Sequence, residues 1–227
     1  MHLAIFDLDN TLLAGDSDYL WGQFLVEQGR VDGAWYEREN RRFYEQYRAG
    51  TLDINEFCAF SMRPLTQHEP AQLYEWRAQF VREKIEPIIA AGTPALLERH
   101  RAQGDRLLIT TATNRFITEP IAQLLEVPDL IATDPEMIGG RYTGRVAGLP
   151  NFQDGKVQRL HAWRDAQPQR YTHTTFYSDS RNDLPLLLEA DAPVAVDPDE
   201  ALRAEAIRRG WPVISLRTPG FVSPALT

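Results

Sequence analysis

Residues 3–12 read LAIFDLDNTL, four apolar residues that lead directly to Asp7 and then to Asp9. A short apolar run of this kind is typical of a buried strand, and side chains two residues apart on a strand point to the same side. Asp7 and Asp9 are therefore predicted to lie together where this strand ends. Two adjacent carboxylates repel each other unless a cation lies beside them or one holds a proton. The pair indicates a functional site, and the alternative is an acidic loop whose aspartate caps a helix.

The remainder of the chain divides into a helical segment and an alternating segment. From residue 17 to residue 85 the apolar side chains recur at helical spacing, and no stretch alternates like a strand. Beyond Thr93, helical patterns alternate with runs typical of strands, which are predicted at residues 106–111, 130–133, 171–177, 193–196 and 211–216. A hairpin is predicted to turn at Gly139-Gly140.

Strands that alternate with helices predict a parallel sheet covered on both faces. We therefore expect an α/β fold, a Rossmann-like doubly wound parallel sheet with an inserted all-helical cap domain. The catalytic core is expected to comprise residues 1–15 and 86–227, and the cap residues 16–85. An insertion after the first strand lies over the carboxyl edge of the sheet, where such folds bind ligands.

Composition excludes several classes of protein. The 227 residues carry a formal net charge of −8 without a basic stretch, which argues against a nucleic-acid partner. No apolar run reaches the length of a membrane span, and Asp7 comes too early for a signal peptide. Cys58 is the one cysteine, and the five histidines show no metal-ligand spacing and are expected to be surface or capping groups. We expect a cytoplasmic protein with no membrane partner.

Four polar groups fall at predicted strand ends or helix starts. The first is Asp7 with Asp9, and the second is TATN, residues 111–114, whose hydroxyl and backbone N–H groups suit an anion such as phosphate. The third is Lys156, and the fourth is SDSRND, residues 178–183, whose two aspartates suit a hard cation. Each has an ordinary alternative as a helix cap, a surface lysine or a loop cap. Together they predict a site for phosphate and magnesium.

This ordered set resembles the haloacid dehalogenase superfamily of phosphohydrolases over nearly the whole chain. Residues 7–12 are similar to its first motif, Thr111-Ala112 to its second, Lys156 to its third, and residues 179–183 to its fourth. The helical insertion is similar to the C1 cap of subfamily I. The group that the chain resembles most is the phosphoserine-phosphatase-like subfamily IB, some of whose members are described as histidinol-phosphate phosphatases.

The resemblance implies a role for each motif residue. Asp7 is implied to be the nucleophile that forms an aspartyl-phosphate, and Asp9 to protonate the leaving oxygen and then activate water. A Mg²⁺ ion is implied to bind Asp7, the backbone carbonyl of Asp9, and Asp179. Asp183 is implied to support the metal and the phosphate indirectly, by contacting the residues that bind them. The residues implied to bind the phosphoryl group are Thr111, Ala112, Lys156 and Asn182.

The chain departs from the phosphoserine phosphatase pattern at positions that concern the substrate. Residues 111–113 replace the usual Ser-Gly-Gly, and Ser178 replaces a glycine before the fourth motif. Nine residues after Asp7, where those enzymes carry a glutamate that binds the substrate amine, this chain has Asp16. Arg63 is aligned with their cap arginine. These differences leave the chemistry intact and put phosphoserine itself in doubt.

We predict a Mg²⁺-dependent phosphomonoester hydrolase, a monomer or homodimer, whose substrate is a small phosphate ester, phosphoserine-like or histidinol phosphate. One alternative is a phospho-accepting signalling domain of the receiver type, against which Asp9 and the helical insertion argue. A binding protein without activity and a phosphotransferase that uses the same aspartate also remain open.

Overall fold

The computed structural model describes residues 1–218, so the end of the predicted catalytic core, residues 219–227, lies outside the described residues. The strands are β1 (His2–Phe6), β2 (Arg106–Asn114), β3 (Asp129–Thr133), β4 (Pro135–Ile138), β5 (Arg141–Val146), β6 (His173–Ser178), β7 (Ala192–Val196) and β8 (Val213–Ile214). The α-helices are α1 (Ser17–Glu27), α2 (Gly33–Ala49), α3 (Ile54–Ser61), α4 (Arg63–Gln67), α5 (Pro70–Phe80), α6 (Thr93–Ala102), α7 (Arg115–Leu124), α8 (Asp154–Asp165), α9 (Leu184–Glu189) and α10 (Glu200–Arg209). Short helical turns cover Leu8–Leu12, Val81–Ile85, Glu86–Ile88 and Arg181–Asp183.

The six main strands form a parallel sheet in the order β3-β2-β1-β6-β7-β8, and β4 pairs with β5 as a separate antiparallel hairpin. Strand β1 is buried on both faces. Its Ala4 and Phe6 pack into one hydrophobic cluster, and Leu3 and Ile5 pack into the other. Because β2 and β3 continue the sheet on one side of β1 and β6 to β8 on the other, β1 lies at the switch point where such sheets bind ligands.

Helices α1 to α5 form the cap between β1 and β2. Helix α1 packs against α2, while α3 and α4 pack against β5. Aspartate and asparagine side chains that accept a backbone N–H bond begin five helices, α1, α2, α3, α7 and α10, through Asp16, Asp32, Asp53, Asn114 and Asp199. Each such cap stabilises a helix by about 1 kcal/mol. The predicted fold class is confirmed, whereas the domain boundaries at residues 15/16 and 85/86 stay predictions.

Two elements of the structure differ from what the sequence pattern indicates. The proline at position 64 favours the end of a helix there, but α3 already ends at Ser61, and α4 begins at Arg63 with Pro64 in its first turn, where no backbone N–H bond is needed. The strand expected at residues 211–216 is reduced to β8, because only Val213 and Ile214 pair with β7.

His100 contradicts the expectation that all histidines lie at the surface or cap helices. It is 2% exposed, with its Nδ1 atom 2.7 Å from Asp105 and its Nε2 atom 2.9 Å from the hydroxyl of Tyr177. The reason is that α6 packs this side chain against the sheet, and burial lowers the pKa of His100. No helix within residues 1–218 is both long and apolar enough to cross a lipid bilayer.

Candidate active site

The candidate active site lies at the carboxyl ends of β1, β2 and β6. Asp7 follows β1 directly, and its backbone N–H donates to the carbonyl of Tyr177 at 2.9 Å, so β1 and β6 remain paired up to the site. The hydroxyl of Thr11 lies 3.2 Å from Asp7 Oδ2 and 3.3 Å from Asp179 Oδ1. It also accepts the backbone N–H of Asp179 at 3.0 Å. Thr11 therefore links the two carboxylates that end β1 and β6.

Lys156 lies in the first turn of α8 and is 2% exposed. Its Nζ atom donates to Asp7 Oδ1 at 2.7 Å and to Asp183 Oδ2 at 2.8 Å. The hydroxyl of Ser178 donates to the same Asp183 oxygen at 2.7 Å. Burial by itself lowers the pKa of Lys156, but the carboxylates of Asp183 and Asp7 outweigh it and raise that pKa, so the side chain is an ammonium ion. A buried charge of this kind is held in place by its partners.

Asp9 is held between the cap and the sheet. Its Oδ1 atom accepts the backbone N–H of Ser17 at 2.6 Å, at the start of α1. Its Oδ2 atom accepts the hydroxyl of Thr113 at 2.8 Å and that of Thr111 at 3.4 Å. Burial, with the charge of Asp16 added, raises the pKa of Asp9 to about 6. A carboxyl group that changes protonation near neutral pH can donate a proton and later accept one.

Three further acids, Asp7, Asp179 and Asp183, lie at the site, and the single positive charge of Lys156 does not balance all three when they are ionised. Burial raises the pKa of Asp7 to about 7 against the attraction of Lys156, with Asp183 and Asp9 adding to the rise. Burial, followed by the charges of Asp7 and Asp183, raises the pKa of Asp179 well above its usual value. An excess of negative charge on convergent oxygen atoms fits a divalent cation.

The oxygen donors of Asp7 and Asp179 are of the kind that Mg²⁺ prefers. Within residues 1–218, no three histidine, cysteine, aspartate or glutamate side chains form a group able to hold a metal ion. The carboxylates of Asp7 and Asp179 share Thr11 as a neighbour, and Mg²⁺ is usually bound by one or two carboxylates while it keeps several waters.

A cavity lies between this edge of the sheet and the cap. Its polar lining is made of carboxylates, an amide and hydroxyls: Asp7, Asp9, Asp16, Asp18, Asn40, Thr111 and Thr113. Its remaining lining consists of Ala112 at the end of β2 and of large cap side chains: Tyr19, Phe43, Tyr44, Tyr47, Leu52, Ile54 and Phe57. The cavity therefore combines acidic groups with aromatic rings.

The structure brings together every residue that the sequence predicted for the site except Arg63. Asn182 lies at the site's edge, where its amide nitrogen donates to the carbonyl of Tyr47 in α2 at 3.2 Å. Arg63 is exposed on α4, with its guanidinium 4.8 Å from the ring centre of Trp35, and it does not belong to the described lining of the cavity. The functional roles of all these residues stay predictions.

Sequence reasoning assigned no individual role to Thr11, Ser17 and Asp18, and it did not predict that Thr113, a member of the polar group 111–114, donates to Asp9. Thr11 is part of the first motif, and Thr113 lies two residues after Thr111 on β2, so spacing along the strand is a signal for both. Ser17 contributes through its backbone N–H, for which sequence offers no signal. Asp18 lines the cavity together with Asp16. The sequence offers no signal for it, because it lies within a segment whose pattern indicates only a helix.

Paired aspartates and a buried lysine meet at the switch point of a parallel sheet, beneath a helical cap, and this arrangement suits a hydrolase of phosphate esters. A family model described as haloacid dehalogenase-like hydrolase matches residues 4–188, and the chain belongs to that family. The sequence is 43% identical to a histidinol-phosphatase of Neisseria meningitidis serogroup C (strain 8013), over 95% of this chain and 99% of that protein.

Two solved structures have the same fold. A protein of unknown function from Bordetella pertussis Tohama I superposes with a TM-score of 0.89 at 42% identity, covering 95% of this chain and 98% of that one. A phosphoserine phosphatase in a phospho-aspartyl intermediate analogue superposes with a TM-score of 0.68 at 16% identity, covering 96% and 94%, which shows the fold alone. The predictions of family, fold and enzyme class, a phosphoric monoester hydrolase, are confirmed.

Proposed function

We propose that this protein hydrolyses a small phosphate monoester that bears an amino group, by an aspartyl-phosphate intermediate and with Mg²⁺. The observation that carries the proposal is the position of the Asp7 carboxylate, which contacts Lys156 at 2.7 Å and faces a cavity lined by further acids. Histidinol phosphate is the leading substrate, because the relative from Neisseria meningitidis, 43% identical, is named a histidinol-phosphatase.

Asp7 is proposed as the nucleophile. Its carboxylate is oriented by Lys156 on one oxygen and by Thr11 on the other. A carboxylate oxygen of Asp7 forms a bond to phosphorus while the ester P–O bond breaks, and Asp9 gives its proton to the leaving alcohol oxygen. Asp9 then takes a proton from a water that attacks phosphorus, so the bond to Asp7 breaks and inorganic phosphate leaves.

The charge on the phosphoryl group is balanced by neighbouring donors. Lys156 and the hydroxyl and N–H groups of residues 111–113 are proposed to stabilise the phosphoryl oxygens. Asp183 keeps the ammonium of Lys156 in place through its 2.8 Å contact. Mg²⁺ would be held by Asp7, Asp179 and the backbone carbonyl of Asp9, and when bound it supplies positive charge to the phosphoryl group.

The amino group of the substrate is proposed to meet Asp16. This carboxylate lines the cavity and at the same time accepts the backbone N–H of Tyr19 at 2.9 Å, which fixes its position at the start of α1. The cap, residues 16–85, is proposed to exclude bulk water when it closes on the substrate, and Asn182 to join cap and core through Tyr47. Arg63 takes no part in this proposal because it is exposed away from the cavity.

The test is release of inorganic phosphate by the purified protein. Histidinol phosphate, phosphoserine, a sugar phosphate, a nucleotide and p-nitrophenyl phosphate are each assayed with Mg²⁺, with a chelator, and with Asp7→Asn. We expect Mg²⁺-dependent turnover that is fastest for an amino-bearing ester and absent in the variant. Turnover that persists in Asp7→Asn, or a preference for esters without a basic group, contradicts the proposal.

A further inference from the structure

Asp18 is a buried acid that the mechanism above does not use. It lies in the first turn of α1, is 8% exposed, and belongs to the lining of the cavity. Its Oδ2 atom has no hydrogen-bond partner within residues 1–218. Burying an ionised carboxylate without a partner is costly, so an acid retained in such a place calls for a reason.

The helix itself does not account for Asp18. Asp16 already caps α1 through its bond to the backbone N–H of Tyr19. The nearby charges that act on Asp18 are the carboxylates of Asp16 and Asp9, which have the same sign. Burial, reinforced by these two charges, raises the pKa of Asp18 well above its usual value. A positive group beside the Asp18 carboxyl group, on the side that lines the cavity, would relieve both effects.

The cavity that Asp18 lines also contains an amide and aromatic rings. The amide nitrogen of Asn40, itself 6% exposed, donates to the carbonyl of Tyr19 at 3.0 Å and is thereby directed to the backbone. Gly22 allows α2 to come this close, because a Cβ atom there would lie 2.7 Å from the side chain of Asn40. The rings of Tyr19 and Tyr44, both in the cavity lining, lie with their centres 5.2 Å apart. The faces of aromatic rings attract cations through the ring quadrupole.

We propose that Asp18 binds a second cationic nitrogen of the substrate, in addition to the amine proposed to meet Asp16. The enzyme is then selective for phosphate esters that carry two basic groups, such as an amine and a protonated ring nitrogen. The inference rests on the proposed function for its reaction, but it concerns binding and can be measured without turnover. The acids of the cavity would extend from the reacting phosphate, at Asp7 and Asp9, into the cap, at Asp16 and Asp18.

The first experiment compares steady-state kinetics of the unaltered protein and Asp18→Asn, which keeps the shape and removes the charge. Histidinol phosphate carries two basic groups and p-nitrophenyl phosphate none, and at about pH 6 an imidazole is largely protonated. We expect the variant to raise KM for histidinol phosphate by roughly ten- to hundredfold, the worth of a hydrogen bond to a charged group, with kcat changed by less than about threefold. The kcat/KM for histidinol phosphate, divided by the kcat/KM for p-nitrophenyl phosphate, should therefore fall by a similar factor.

The matched control is Asp32→Asn, the same substitution at an exposed cap of α2 outside the cavity, which should leave that ratio unchanged. Asp18→Asn should melt no lower than the unaltered protein, because it loses a buried charge without a partner. A ratio that is unchanged in Asp18→Asn, or a KM that rises equally for both esters, overturns the inference.

The second experiment separates this inference from the proposed function. Binding of histidinol phosphate is measured by calorimetry on Asp7→Asn and on the double variant Asp7→Asn/Asp18→Asn. Affinity that falls roughly tenfold or more in the double variant supports the role of Asp18 even if no ester is hydrolysed. Equal affinity of the two proteins refutes that role even if hydrolysis occurs as proposed.

Discussion

Replacing Lys156 with methionine is expected to destabilise the protein by about 3 to 5 kcal/mol at about pH 8, the usual cost of removing one partner from a buried ion pair. Methionine fills a similar volume, so the loss reports the charge. The ammonium of Lys156 contacts Asp7 at 2.7 Å and Asp183 at 2.8 Å, and all three side chains are at least nine-tenths buried. Two carboxylates therefore lose their shared cation together.

The cost should depend on pH in a definite direction. The charge of Lys156 opposes the effect of burial and lowers the pKa of Asp7, which is nevertheless raised to about 7. Without Lys156 that pKa rises further. Below about pH 7 Asp7 holds a proton in both folded proteins. Above about pH 7 Asp7 ionises in the unaltered protein, where Lys156 neutralises its charge. In the variant Asp7 must either bury an unpaired charge or keep a proton that the unfolded chain has released. The difference in stability is therefore smaller at low pH and grows as pH rises above about 7.

The assay is urea unfolding with a chelator present, at about pH 5.5 and about pH 8.5. The control is Lys84→Met, which removes an ion pair of the same 2.7 Å length to Glu27, with side chains 27% and 52% exposed. An exposed pair contributes at most about 1 kcal/mol. The reasoning is refuted if Lys156→Met costs no more than the control, or if its cost is equal at the two pH values.

Three further predictions concern the metal, the proton donor and the start of α8. Asp179→Asn should abolish the rise in melting temperature that Mg²⁺ gives the unaltered protein at about pH 8, because it removes one proposed ligand. Thr113→Val removes a 2.8 Å bond that lowers the pKa of Asp9, so the alkaline limb of kcat/KM, expected near the Asp9 pKa of about 6, should move to higher pH. The displacement is roughly 0.5 to 1 on the pH scale. Gly155→Ala places a Cβ atom 2.3 Å from the carbonyl oxygen of Pro150, which should cost about 1 to 3 kcal/mol of stability and displace Lys156, the residue that follows.

Each of these changes has a control and a contradicting result. A Mg²⁺ response that survives in Asp179→Asn contradicts the proposed ligand set. Thr113→Ser keeps the hydroxyl and should restore the original pH profile, and a profile unmoved in Thr113→Val contradicts the role of that bond. Gly33→Ala adds the same methyl group at the start of α2, where it meets only a side-chain atom of Val26 at 3.3 Å, so equal losses at the two glycines contradict the steric argument.

The sequence by itself determined the elements and the order of the chemical groups. The apolar run before Asp7 identified β1, the helical spacing of residues 17–85 identified the cap, and polar residues at strand ends located the site. These features could be read because periodicity and strand ends are local properties of the chain. The position nine residues after Asp7 also predicted Asp16 as a carboxylate that meets the substrate, and the structure has Asp16 in the cavity lining.

Only the tertiary structure decided which partners these side chains meet. Thr11 reaches Asp179 across 168 residues and Lys156 reaches Asp7 across 149, and such contacts depend on how distant segments pack. The same packing buried His100, left Arg63 exposed and enclosed Asp18 without a partner for one of its oxygens. A sequence pattern reports which face of an element a residue occupies, but the neighbour across that face comes from another part of the chain.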